Sequence, residues 1–211
     1  MQHTGISKII TGIGALFGSM AAASAAVVVS VDMDISTPGI QSVRTVTLNE
    51  IFTVGLIMTA DAAGVSSYGV SVNFDKAELT LNGAPASTEL LPALFTGNVN
   101  PGVNSESQAL GQIRTFEAFT FAAGPVSSSF TIGTISFKAT APVTDAFLDV
   151  TLGLFNVGID GIFDNAGGDL GPGAVFVGGL VNVVPEPASA ALLAAGVCAG
   201  LVFPRRKRAR A

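Results

Sequence analysis

The chain has 211 residues, 49% hydrophobic and only 12% charged, with 25 Gly and 10 Pro cutting it into short segments. Six of the ten Lys and Arg sit at the ends (Lys8, Arg205, Arg206, Lys207, Arg208, Arg210), so the middle carries four basic against all fifteen acidic residues, a formal −11, which excludes a phosphate-neutralising nucleic-acid surface. The one His (His3) and the one Cys (Cys198) also lie outside the middle, which excludes Ser-His, Cys-His and zinc chemistry built on those side chains there.

Residues 1–26 have the three-part layout of a secretory signal peptide. Lys8 marks a short basic region, Ile9 to Met20 supply an apolar helix, and Ala21 to Ala26 offer small residues for cleavage after Ala25 or Ala26. No twin-Arg pair is present, so the general secretion route is expected.

Residues 27–184 show no sustained helical period. Short runs of Val, Ile, Thr and Phe recur instead between Gly, Pro, Asn and Ser clusters, which predicts strands. They are expected at Val27–Ile35, Val43–Leu48, Ile51–Thr59, Ser67–Phe74, Leu79–Leu81, Gln112–Phe121, Phe130–Ala139, Ala146–Leu154 and Ala174–Val183. Tyr68, Val70, Val72 and Phe74 share one face and should point inward. Asn82-Gly83 is a hairpin-type turn signal. Most Phe residues occupy strand positions and should be core. The loops are too short for crossover helices, so the fold class is all-β: two packed antiparallel sheets forming a β-sandwich.

Phe52-Thr53-Val54, then Tyr68 to Asp75 with Leu79, then Ile132 to Lys138, in that order, resemble a cohesin-like domain across residues 42 to 184. The resemblance implies the jelly-roll sandwich that cohesins share with some carbohydrate-binding modules. Cohesins proper hold dockerin modules on one sheet face, and none of the matching residues identifies such a face here.

Three sets of polar residues are candidate sites. Asp160, Asp164, Asn165 and Asp169 stand on a Gly-rich loop whose oxygens suit Ca²⁺, the one cofactor considered. The loop lacks the EF-hand spacing and its terminal Glu, and a solvated loop explains it equally well. Asp32 and Asp34, two apart on a predicted strand, share a face, and a charged edge strand that resists pairing is the preferred reading. Glu78, Glu89, Glu106 and Glu117 are available to a glycosidase, but such an enzyme needs two opposed carboxylates and nothing pairs these. With no Trp and one Tyr the chain scarcely builds sugar platforms, so no enzymatic activity is expected.

The C-terminus reads Val184-Pro185-Glu186-Pro187, an apolar run 188–203, then Pro204 and the basic Arg205, Arg206, Lys207, Arg208 and Arg210. As a helix the run spans about 24 Å, short of a bilayer core of about 30 Å. The basic cluster behind it supplies a stop-transfer flank that stays cytoplasmic. Pro187 suits a first helical turn, Glu186 complements the helix dipole, and both prolines bias their predecessors to extended backbone. This combination resembles the PEP-CTERM sorting signal of Gram-negative bacteria over residues 184–211. The resemblance implies a membrane exosortase that reads Pro185, Glu186 and Pro187, an inner-membrane precursor, and delivery to the cell surface or matrix of an exopolysaccharide-making bacterium. The expected organisation is a signal peptide 1–26, a sandwich 27–184 and a sorting signal 185–211 with its membrane helix at 188–203. The expected role is a surface or matrix component, or alternatively a module binding carbohydrate or protein there. An exposed apolar row on one sheet favours binding, whereas a uniformly polar acidic exterior favours the matrix role.

Overall fold

The computed structural model describes residues 27–91, 95, 102–153 and 161–186. The expected signal segment 1–26, the apolar run 188–203, the five tail cations, Pro187 and Asp160 lie outside them. Among the described residues no helix is long and apolar enough to cross a membrane.

The described chain is β throughout, save one 3-10 turn at Gly171–Gly173. Its strands are β1 (Val28–Asp32), β2 (Val43–Thr47), β3 (Ile51–Thr59), β4 (Ser67–Phe74), β5 (Leu79–Leu81), β6 (Ser87–Glu89), β7 (Gly102–Ser107), β8 (Gln112–Phe119), β9 (Ser129–Ala139), β10 (Val143–Leu152), β11 (Ile162–Phe163), β12 (Val175–Val177) and β13 (Gly179–Val184). The first sheet runs β12-β1-β3-β9, with β5 and β6 both on the far side of β9. The second runs β2-β13-β10-β4-β8-β7, with β11 beside β4.

Alternation builds the core. In β9, Ile135, Phe137 and Ala139 are buried while Thr134, Ser136 and Lys138 look outward. In β10, Ala146, Leu148 and Val150 are buried against exposed Asp145, Phe147 and Asp149. The two inner faces meet in one cluster, where Phe137 packs against Phe74 at 5.1 Å and Phe52 at 6.0 Å between ring centroids. Each such ring contributes about 1.5–3 kcal/mol when fully buried. Tyr68 is inward and fully buried, as its strand pattern predicts, and meets Phe95 edge-on at 5.6 Å. Phe121 breaks the expectation for phenylalanine, being 85% exposed just past the end of β8.

Two neighbouring pairs are parallel, not antiparallel: β1 with β12 and β2 with β13. Their cause is that two segments change sheets side by side. The chain leaves β1 through Met33–Ser42 to enter β2, and leaves β12 through Gly178 to enter β13. A Cβ at Gly178 would stand 2.5 Å from the Leu148 carbonyl, and one at Gly179 would collide with the Met33 sulfur. The predicted single strand Ala174–Val183 is therefore two, one per sheet.

Asn82-Gly83 does not close a hairpin. Asn82 N–H donates to Ser136 O, Ser136 N–H donates to Ala86 O, and Ser87 then lies opposite Ile135. Thus β5 and β6 follow one path along β9, with residues 82–86 bulging between them. Side chains from β7 and the turn after it close this border. Gln108 Oε1 accepts the Leu81 N–H at 2.8 Å, and Glu106 accepts those of Ala86 and Ser87 at 2.9 and 2.7 Å.

Candidate functional site

The acidic loop after β11 is knitted to its own backbone. Asp164 Oδ1 accepts the N–H groups of Ala166 and Gly168, each at 2.7 Å, and Asp169 Oδ1 accepts that of Gly171 at 2.8 Å. Asn165 pins the loop to its neighbour, accepting the Gly124 N–H at 2.7 Å and donating to the Gly124 carbonyl. Ser66 adds a hydroxyl bond to the Asp164 carbonyl at 2.6 Å. These are Asx-type bonds that shape a turn. Among the described residues no group of three His, Cys, Asp or Glu is placed to hold a metal ion.

Asp32 and Asp34 do not share a strand face, and β1 is not an edge. The edge belongs to β12, with β1 paired to it on one side and to β3 on the other. Beyond Asp32 the chain turns away, because Met33 N–H bonds Gln41 O at 2.8 Å. Asp32 is only 6% exposed, and its Oδ1 accepts the N–H groups of Asp34 and Gln41, each at 3.1 Å. Asp34 lies in the loop, bonded by Ser36 N–H and Oγ and by Thr37 Oγ1, with Arg44 at 3.8 Å. The Ser36 hydroxyl, then that of Thr37, hold its carboxyl below the usual carboxylate range. Arg44 also reaches Glu50 at 3.9 Å, donates to the Met33 carbonyl at 3.1 Å and lies over the Phe52 ring.

The four glutamates serve separate places. Glu106 binds the β6 backbone, and Glu117 is buried in β8 opposite Gly69. Glu78 stands in the turn before β5, where burial first, then Asp75 and Asp145, hold its carboxyl above the usual range. Glu89, on β6, acts on Tyr68, whose ionisation is pushed up chiefly by burial and secondly by that carboxylate.

What reasoning along the sequence missed lies on the outer face of the second sheet. Register sets Val43 of β2 beside Leu180 of β13, and Leu180 beside Phe147 of β10. These three are 49%, 42% and 38% exposed, forming an apolar row across three adjacent strands. Scattered exposed apolar residues are ordinary, whereas these three are register neighbours on one face. One local signal was present: Asp145-Ala146-Phe147-Leu148-Asp149 sets an aromatic ring on the same face as two acids.

Pro185 follows directly on the last residue of β13, and both Pro185 and Glu186 are exposed. Pro185 and Glu186 therefore stand outside the sandwich, although the Val184 carbonyl still accepts the Leu48 N–H at 2.9 Å.

No protein-family model matches the chain, and no curated protein does. Solved structures do match, cohesin modules among them. The cohesin module of a family 33 glycoside hydrolase from Clostridium perfringens aligns over 76% of this chain and 98% of that one, at 10% identity and TM-score 0.52. A type III cohesin from the ScaE cell-surface anchoring scaffoldin of Ruminococcus flavefaciens aligns over 75% and 88%, at 13% identity and TM-score 0.52. The Coh-OlpC–Doc435 cohesin–dockerin complex from Clostridium thermocellum aligns over 76% and 95%, at 11% identity and TM-score 0.50. The chain thus has a cohesin-like sandwich fold.

Proposed function

We propose that this chain is an exported, non-enzymatic surface module that holds a protein partner on the outer face of its second sheet. The observation that carries the reading is the Val43–Leu180–Phe147 row. A matrix filler needs only a polar acidic exterior, whereas an aligned apolar row costs solubility unless something covers it. The cohesin-like fold supports the reading by analogy, since a solved neighbour is a cohesin bound to a dockerin. Delivery rests on the sorting signal: an exosortase reads Pro185-Glu186-Pro187 in the inner-membrane precursor and releases the module to the surface of a Gram-negative cell.

Two measurements on the full chain test the two halves. For binding, the wild type and the double variant Leu180→Asp/Phe147→Asp are expressed in cells and recovered from the surface fraction. A protein that co-purifies with the wild type and is lost from the variant is expected. Equal recovery of every companion, or capture of exopolysaccharide by both forms and of protein by neither, overturns the protein-binding reading. For sorting, mass spectrometry of the surface form should end near Pro187 and lack the Arg-rich tail. Pro185→Ala/Pro187→Ala extends the membrane helix and should trap uncut precursor. Surface protein ending at Ala211 overturns it. Calcium is a separate question on the Asp160–Asp169 loop: an ion there competes with the backbone donors on Asp164 and Asp169, and a rise in Tm on adding Ca²⁺ is its signature.

A further inference from the structure

We propose that a shallow depression on the outer face of the first sheet receives a lysine side chain of a protein partner, with the carboxylate of Asp32 as its anchor. It lies on the opposite side of the sandwich from the Val43–Leu180–Phe147 row and does not depend on that row being occupied.

The depression exists because the Met33–Ser42 segment lies down on the sheet instead of arching away. Gly55, opposite Asp32 on β3, makes room for it: a Cβ there would stand 2.8 Å from Ile35 Cγ2. The space between this segment and the β3–β9 surface is about 500 Å³, lined on its apolar side by Ile35, Pro38, Ile40 and Ile57 and on its polar side by Asp32, Thr37, Ser129 and Thr131. Small-ligand clefts fall in the range of roughly 300–1,000 Å³.

Asp32 is the unusual member. A carboxylate this buried is ordinarily matched by donors or by a cation. Its Oδ1 takes two backbone N–H groups, but no described donor reaches Oδ2, and no described Lys or Arg forms an ion pair with it. Arg44, the cation nearest in the chain, is engaged by Asp34, Glu50 and the Met33 carbonyl. One acceptor oxygen of a buried acid that lines this depression therefore has no described donor, on a domain whose formal charge is −11.

The geometry selects the cation. A guanidinium binds a carboxylate best through both oxygens, and one of these is already used. An ammonium needs a single point, and its four-carbon stem matches the isoleucine walls. An amino sugar offers the same ammonium, but its ring carries hydroxyls that Ile35, Pro38, Ile40 and Ile57 cannot pair, so only the side of Thr37, Ser129 and Thr131 would suit it.

The test uses the full chain in detergent and fluorescent, end-blocked pentapeptides Ala-Ala-X-Ala-Ala, with X as Lys, Arg or norleucine. Fluorescence anisotropy should show the Lys peptide bound most tightly, Arg weaker and norleucine weakest, with affinity falling as salt rises. Asp32→Asn keeps an oxygen for the two backbone bonds and removes the charge, so the Lys peptide should bind roughly ten- to hundredfold more weakly. Ile40→Lys, at an exposed loop position, should occupy the depression with the chain's own ammonium and abolish binding even where Asp32→Asn folds poorly. Equal binding of Lys and norleucine peptides, no binding of either, or full binding by Ile40→Lys overturns the proposal. So does tighter binding of a deacetylated chitin oligomer than of the Lys peptide, which would move the site to polysaccharide.

Discussion

The two outer faces of the sandwich come from the same alternation of inward and outward residues, yet they end differently. On the first sheet a loop lies across the strands, tied by Asp32 and seated over Gly55. On the second, the row Val43–Leu180–Phe147 stands uncovered. The difference does not arise from hydrophobicity, since Ile35 and Ile40 of the loop are as exposed as the row. It arises from one missing Cβ and one carboxylate that gives the returning chain an acceptor. A sheet face is thus covered or left bare by details at one or two positions.

The largest effect that breaks this contrast is expected from Gly55→Val. The new side chain cannot coexist with Ile35, so the loop lifts, and overpacking of this kind costs about 1–3 kcal/mol. Thermal unfolding should show the loss, and Lys-peptide binding should go with it. Asp32→Ala comes next, because it strands the Asp34 and Gln41 N–H groups, at about 1–2 kcal/mol in a denaturant titration. On the bare face, Leu180→Asp should change stability by about 0.5 kcal/mol or less while partner capture falls. A large loss of stability there would mean the row is packed, not offered.

The smallest effects are in pH dependence and have opposite signs. Glu78 titrates higher in the folded state, so its favourable contribution is present below the unfolded value and lost as pH rises through the folded one. Glu78→Gln should therefore raise Tm at neutral pH, with the gain vanishing in acid. Asp34 titrates lower when folded, so its contribution is present above the unfolded value and lost as pH falls. Asp34→Asn should lower Tm at neutral pH and converge with the wild type in acid.

Much of the sandwich was legible because its long strands carry period-two patterns of branched and aromatic residues. In Ile51–Thr59 and Ser67–Phe74 the pattern marks both strand ends to the residue. The strands that escaped have no such pattern: Gly102–Ser107 is a polar border strand, Ser87–Glu89 is fixed by Glu106 and by β9, and Ile162–Phe163 is two residues long. Asp32 and Asp34, two apart in the sequence, do not share a face, because a backbone bond from Met33 to Gln41 ends the strand between them. The apolar row was out of reach for a different reason. Val43, Phe147 and Leu180 meet only through the register of three strands, and register is a property of the assembled sheet.

The placement of β13 also decides how the molecule carries load. Any tension on the chain beyond Glu186 enters at Val184 and runs along β13, which lies between β2 and β10. The hydrogen bonds to both neighbours lie across that pull, from Leu180–Val184 to Val43–Thr47 on one side and from Gly179–Val183 to Val143–Leu148 on the other. They are strained together in shear instead of being peeled one after another from an end. Rupture under force follows the unfolding barrier, not the equilibrium stability, so a strand loaded in this way holds longer than its hydrogen-bond count alone predicts. Only after β13 slides does the load reach the Gly178–Gly179 crossing and the three pairs that tie β12 to β1. The strand nearest the point of pull is therefore one paired along both of its edges.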